Sequence, residues 1–216
     1  MKTALRLIPW SLAAIVVLSA AVNAEIIARE GEGYLEKVDG TLVLHLSGDY
    51  YDLGYQHGVL LREMVKENML SIVDNQSELA ESKEYKLYKM LRGAMHARLK
   101  PHIPEKFMEE LRGLAEGAGL EFEQVLTGNL MPEAFHCSGM SLFGKATRGG
   151  SLYHVRLLDY MTEVGFQDRA VLMIVSPKGA RTFMNVSYAG FIGSITGMND
   201  AQIAIGEMGG QGDRKS

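Results

Sequence analysis

Cys137 is the only cysteine among 216 residues, and it lies in the run Pro132-Glu133-Ala134-Phe135-His136-Cys137-Ser138-Gly139. A lone cysteine forms no intrachain disulfide. It pairs with another molecule, acts as a nucleophile, or packs as a small apolar residue. Arg156-Leu157-Leu158-Asp159 follows on the strand that returns from the turn Thr147-Arg148-Gly149-Gly150. A hairpin brings its second strand back to the start of its first, so this run returns towards Cys137. An arginine and a carboxylate beside a thiol suit amide chemistry: the arginine holds a thiolate or a substrate oxygen, and the carboxylate accepts from a nearby amine. The competing reading is a surface ion pair worth about 0–1 kcal/mol. Strand side chains alternate, so Arg156 and Asp159 face opposite ways unless the strand bends or ends near Asp159.

Three histidines compete for the role of base. His136 precedes Cys137, but neighbours in a strand point apart. His57 and His154 are the other candidates for a Cys–His hydrolase that needs no self-cleavage. His57 lies in Gly54-Tyr55-Gln56-His57-Gly58, where two glycines let a helix start pack closely on a neighbour, and this context reads as structural. Gly206-Glu207-Met208-Gly209-Gly210 is read either as a plain loop or as a source of backbone N–H groups for an oxyanion hole. The glycine-rich run from Gly190 to Asn199 lacks the Lys-Ser/Thr end of a phosphate loop, and Gly197-Met198-Asn199 predicts a turn with positive φ at Asn199. No cluster has metal-ligand spacing, and no cofactor is implied. Asn75-Gln76-Ser77 and Asn185-Val186-Ser187 match the glycosylation sequon, which matters only in a eukaryotic host.

The elements that position these residues divide at Cys137. Residues 1–24 read as a signal peptide: Lys2 and Arg6 precede the apolar run Leu12 to Leu18, and Val22-Asn23-Ala24 offers a cleavage site. This implies a secreted or periplasmic protein with no stable membrane insertion after cleavage. Residues 25–136 are mostly helical. Thr41 to Leu46 is a strand, and Asp52 to Asn75, Glu84 to Leu99, Pro104 to Gly119 and Glu123 to Ala134 are predicted helices. Residues 137–216 read as an antiparallel meander: Ser138–Ala146 with Ser151–Tyr160, Val171–Val175 with Arg181–Tyr188, and Ile192–Thr196 with Gln202–Glu207 around Gly197 to Asp200. Four helices cover one side of such a sheet, so its other face is expected to lie open. The net charge of −4, with both signs interspersed, leaves no basic stripe for nucleic acid. Thirteen methionines suit a core or an adaptable apolar pocket. Nothing in the sequence fixes an oligomeric state.

Taken in order, five segments resemble the autoproteolytic acyltransferase and amidohydrolase family of isopenicillin-N acyltransferase, within the N-terminal nucleophile (Ntn) hydrolases. They are Gly54 to Gly58, Phe135 to Gly139, Arg156 to Asp159, Tyr188 to Gly193 and Thr196 to Asn199. The resemblance implies an α+β fold, an αββα sandwich of which the N-terminal part is present, preceded by a helical pro-segment. It implies self-cleavage between His136 and Cys137, after which Cys137 supplies both the nucleophilic thiol and, through its own amine, the base. A free α-amine titrates near pH ~8, a useful value for that role. Arg156 and Asp159 take the positions beside the nucleophile, and Tyr188 and Gly209 those of substrate or oxyanion contacts. The implied partner is a small-molecule amide or acyl substrate, cleaved or transferred through a Cys137 thioester. Leu157 stands where related amidohydrolases carry asparagine, and Gly209 near where several carry an oxyanion asparagine. The family runs beyond 216 residues, so the rest of the sandwich is expected outside this chain. A non-catalytic secreted domain with a buried Cys137 is the alternative.

Overall fold

The structure is a computed structural model, and it describes residues 23–73, 93–94, 96–130, 137–159, 162 and 165–208. It is α+β, with a large mixed sheet and helices packed on one face. The described residues begin with three antiparallel strands, β1 (Ala24–Glu30), β2 (Gly33–Val38) and β3 (Thr41–Gly48). Helices α1 (Tyr50–Leu60), α2 (Arg62–Val73), α3 (Glu105–Ala118) and α4 (Phe122–Leu130) follow. Then come β4 (Ser138–Gly144), β5 (Gly150–Leu157), β6 (Ala170–Pro177), β7 (Phe183–Tyr188), β8 (Thr196–Asn199) and β9 (Ala204–Gly206).

The large sheet runs β1-β2-β3-β6-β7-β8-β9, and β4-β5 form a separate two-stranded sheet. The predicted meander holds for β6 to β9, which pair antiparallel in sequence. It fails at both ends. The β4–β5 hairpin stands outside that sheet, and β6 pairs parallel with β3, Val43 opposite Leu172. A parallel pair needs a long crossover, and here the helices and the hairpin supply it. The segment before Cys137 therefore contributes three strands to the sheet as well as its helices.

Two strands, β1 and β2, fall where no element is predicted. Asp39-Gly40 closes the β2–β3 hairpin, with φ +46° and +90°, the two positive values that Asp-Gly supplies in tight hairpins. The predicted helix from Asp52 divides at Leu61 into α1 and α2. Asp49 caps α1 by accepting from the Asp52 N–H at 3.1 Å. Gly119, at φ +70°, ends α3 as expected. The predicted helix from Glu84 lies mostly outside the described residues. The last hairpin turns later than predicted: Gly197, Met198 and Asn199 are strand, and the positive φ belongs to Gln202. Asn199 drives that turn through its side chain, whose Oδ1 accepts from the N–H groups of Ala201 and Ile203, each at 3.0 Å.

The core lies between the helices and one sheet face. Leu44, Leu46, Val171, Met173 and Val175 meet Leu53, Val65, Met69, Leu114 and Leu126. α1 and α3 approach unusually closely through two pairs of glycines. A Cβ at Gly54 would overlap the Glu110 carbonyl, and one at Gly113 the Tyr51 carbonyl; Gly58 and Gly117 are as tightly placed against the opposite backbone. The expectation for Gly54 and Gly58 holds, and the sequence partner is Gly113-x-x-x-Gly117. The other sheet face is exposed along β7 and β8, at Met184, Val186 and Met198, while Val43 on β3 is buried on that same side.

Candidate functional site

Cys137 sits immediately before β4, and the hairpin register pairs Ser138 with Leu157 and Gly139 with Arg156. The returning strand thus brings Arg156 to the cysteine, as the sequence predicts. The Arg156 Nη2 donates to the Cys137 sulfur at 3.2 Å. Its side chain is only 4% exposed. A buried guanidinium needs a counter-charge and acceptors, and Glu207 provides both. Arg156 Nη2 donates to the Glu207 carboxylate at 2.9 Å, and its Nε donates to the Glu207 carbonyl at 2.9 Å. The thiol lies 4.0 Å from the same carboxylate oxygen. Gly206 makes room for this contact: a Cβ there would stand 3.0 Å from Arg156 Cγ.

Glu207 is the residue that the sequence leaves out of the site. Its segment is read there only as a possible source of backbone N–H groups. The Glu207 N–H is in fact spent on the Ile195 carbonyl at 2.9 Å, so this residue serves the site through its carboxylate and its carbonyl. The signal available in the sequence is a carboxylate at the end of the last strand pair, with no cation near it in sequence.

Tyr188 ends β7 and faces the same region. Burial pushes its phenol up; Arg156 opposes that shift and Cys137 adds to it, so Tyr188 is in electrostatic reach of both. Its ring stacks on Phe166, with centroids 5.6 Å apart. The loop after it is clamped by one polar side chain from each of three helices. His57 of α1 accepts from the Gly190 N–H at 2.9 Å. Asn68 of α2 donates to the Ala189 carbonyl at 2.7 Å, and Arg169 donates to the Asn68 oxygen. Asn129 of α4 donates to the Gly190 carbonyl at 2.9 Å and accepts from the Ile192 N–H at 3.0 Å. Gly190 is at φ +91°, a conformation glycine adopts without strain.

Asp159 is not drawn into this cluster. Alternation persists past the end of β5, with Arg156 and Leu158 turned inward and Leu157 and Asp159 exposed. Among the described residues Asp159 makes no hydrogen bond or ion pair. His136 and Gly209 lie outside the described residues, as does the Asn75 sequon. Asn185 is 1% exposed and donates to the Gly193 carbonyl at 3.1 Å, which closes that sequon in the folded chain.

The two described candidate histidines are engaged elsewhere. His57 is buried, and its Nε2 is taken by Gly190. His154 shares a 2.8 Å hydrogen bond with Ser141, further along the hairpin. Among the described residues no histidine hydrogen-bonds Cys137, and no three His, Cys, Asp or Glu side chains gather as a metal ion requires. No described helix is long and apolar enough to cross a membrane.

No family model matches the chain. Over 177 residues it is 29% identical to Protein dcd1B of Dictyostelium discoideum, covering 72% of this chain and 35% of that protein. Over 208 residues it is 27% identical to an uncharacterised protein of Archaeoglobus fulgidus, covering 82% and 34% respectively. Protein dcd1A of Dictyostelium discoideum is 31% identical over 113 residues, covering 45% of this chain and 25% of that protein. The chain spans about a third of the length of the first two.

Proposed function

We propose that this chain is part of a secreted or periplasmic N-terminal nucleophile cysteine amidohydrolase or acyltransferase, built as an αββα sandwich and acting on a linear, non-peptide amide. The observation that carries this reading is the Arg156 guanidinium, held by Glu207 at 3.2 Å from the Cys137 sulfur at the start of a strand. The open face of the large sheet is then where a second sheet packs, and the β4–β5 hairpin begins that layer.

The chemistry runs in two stages. First, the peptide bond between residues 136 and 137 is cut. The Cys137 thiol adds to the carbonyl of His136, the C–N bond breaks as the Cys137 nitrogen takes a proton, and water hydrolyses the resulting thioester. Cys137 is left with a free α-amine. In turnover that amine takes the thiol proton while sulfur attacks the substrate carbonyl. Arg156 is placed to stabilise the negative charge that develops beside the sulfur. The tetrahedral intermediate collapses to a thioester, and the departing amine takes the proton from the α-ammonium. Water or a second amine then releases the acyl group. Tyr188, within electrostatic reach of Cys137 and Arg156, contacts the substrate; Asp159, exposed and turned away from the thiol, takes no step.

The test is the state of the chain. The full-length protein should run as two fragments on a denaturing gel, one of them beginning at Cys137 by mass spectrometry, and Cys137→Ala should run as one. A cleaved alanine variant would point to an external protease and remove the basis for an N-terminal base.

A further inference from the structure

A cavity of about 480 Å³ lies between α1, α3 and the helix-facing side of β6 to β9, within the size range of small-molecule sites. Its walls include Leu53, Phe107, Val175, Phe183, Ile192 and Ile205. It lies on the opposite side of the sheet from Cys137. Phe183 pairs with Asn199 and Gly197 with Ile205, and all four line the cavity. Gly206, the next residue, turns the other way towards Arg156.

One carboxyl opens into this apolar space. Glu110, on α3, lines the cavity and is only 7% exposed. Among the described residues it makes no hydrogen bond or ion pair. Its carboxyl oxygens are not sealed off, unlike Asn185 Oδ1 and Ser187 Oγ, so the cavity gives a hydrogen-bonding partner room to reach them. Burial pushes the Glu110 carboxyl up to about 8, against an opposing pull from Lys106. At neutral pH it is therefore mostly the neutral acid, with one O–H to donate and an oxygen to accept.

The surrounding charges narrow the ligand. The Lys106 ammonium lies over the Tyr50 and Phe107 rings and donates to the Tyr50 hydroxyl at 3.1 Å. Tyr50 and Phe107 are cavity walls, so a second cation there is disfavoured. Arg181, at the rim, is paired with Asp200 at 3.0 Å. Tyr50, Glu110 and Arg181 are the titratable residues that line the space, with Lys106 against the Tyr50 and Phe107 walls. Apolar walls make burial of a free carboxylate costly. A primary amide matches a neutral carboxylic acid donor to acceptor and acceptor to donor.

We propose that this cavity is a second ligand site, which takes a neutral acyl amide through its hydrocarbon chain and a paired hydrogen bond to Glu110. The proposal does not depend on the chemistry at Cys137.

The probe is decanamide, titrated by calorimetry into the full-length Cys137→Ala protein so that no turnover intrudes. At pH 6 binding should be saturable, one to one, and tighter than for decylamine or decanoate. At pH 9 it should weaken about tenfold, because only about a tenth of Glu110 then keeps its proton. Glu110→Gln, a neutral isostere, should bind equally at both pH values. Glu110→Leu should lose about tenfold at pH 6, and Ile205→Trp, which fills the cavity from the sheet, should abolish binding. Absence of saturable binding, including through filling of the cavity by other parts of the full-length protein, overturns the proposal. So does unchanged affinity in Glu110→Leu, or tighter binding of the amine or the acid.

Discussion

Gly190 donates its N–H to the Nε2 of His57, and that bond requires a neutral imidazole with its proton on Nδ1. Burial holds the ring to a pKa of about 4, against an ordinary value of 6.5. In the pH window between these values the unfolded chain binds a proton that the folded chain refuses. The stability from this group is fully present above pH 6.5 and is lost as pH falls towards 4, on the order of 3 kcal/mol in all. Glu110 acts in the opposite sense: its raised pKa lowers stability as pH rises from about 4.5 to 8. A comparison of variants isolates His57. The thermal midpoint of the wild type should drop more steeply than that of His57→Gln between pH 7 and pH 4, since glutamine still accepts from Gly190 without titrating. Parallel slopes would mean that the ring is not held neutral. The same bond explains why His57 does not serve Cys137, and why the loop behind Tyr188 keeps its place beside Arg156.

Helix α1 reaches the site only by lying almost against the backbone of α3. Four glycines at matched spacing permit this, two on each helix. Glycine inside a helix costs about 0.5–1 kcal/mol relative to alanine, so these positions are justified by packing alone. Gly54→Ala and Gly113→Ala should each destabilise the chain by about 1–3 kcal/mol, the scale of overpacking in a tight contact, despite the gain in helix propensity. Gly93, helical and with open space where its Cβ would be, is the control: its alanine variant should be neutral or more stable. Urea midpoints measure all three. Stabilisation at Gly54 would show that the two helices have slack. The same close crossing places Glu110, between Gly54 and Gly113, at the wall of the cavity.

At the scale of the molecule, one sheet face is covered by helices and the other is exposed along β7 and β8. Met184, Val186 and Met198 stand on it, and the β4–β5 hairpin exposes Met140, Phe143, Leu152, Val155 and Leu157. Exposed apolar side chains in these numbers mark an interaction face or an aggregation hazard, and a two-stranded sheet is marginal in water without a covering layer. Residues 25–216 alone should elute from gel filtration well above monomer mass, and lysine at Val186 and Met198 should shift them towards it. A monodisperse wild-type monomer would show that this face tolerates water.

The local pieces of this fold were legible because each depends on a few neighbouring residues. Thr147-Arg148-Gly149-Gly150 determined a hairpin, and with it the approach of Arg156 to Cys137. Gly119 determined the end of α3, and Gly54 with Gly58 announced a close helix contact. Asp39-Gly40 carries a hairpin signal of the same kind, between β2 and β3. Tertiary structure decided whatever joins distant segments. The parallel pairing of β3 with β6 depends on the helices that cross between them, and no periodicity within either strand distinguishes it from an antiparallel edge. Glu207 became the counter-charge of Arg156 only because β9 ends against β5 at a glycine. Asp159, which shares a sequence motif with Arg156, stays outside because a strand that keeps its alternation sends residues three apart to opposite faces.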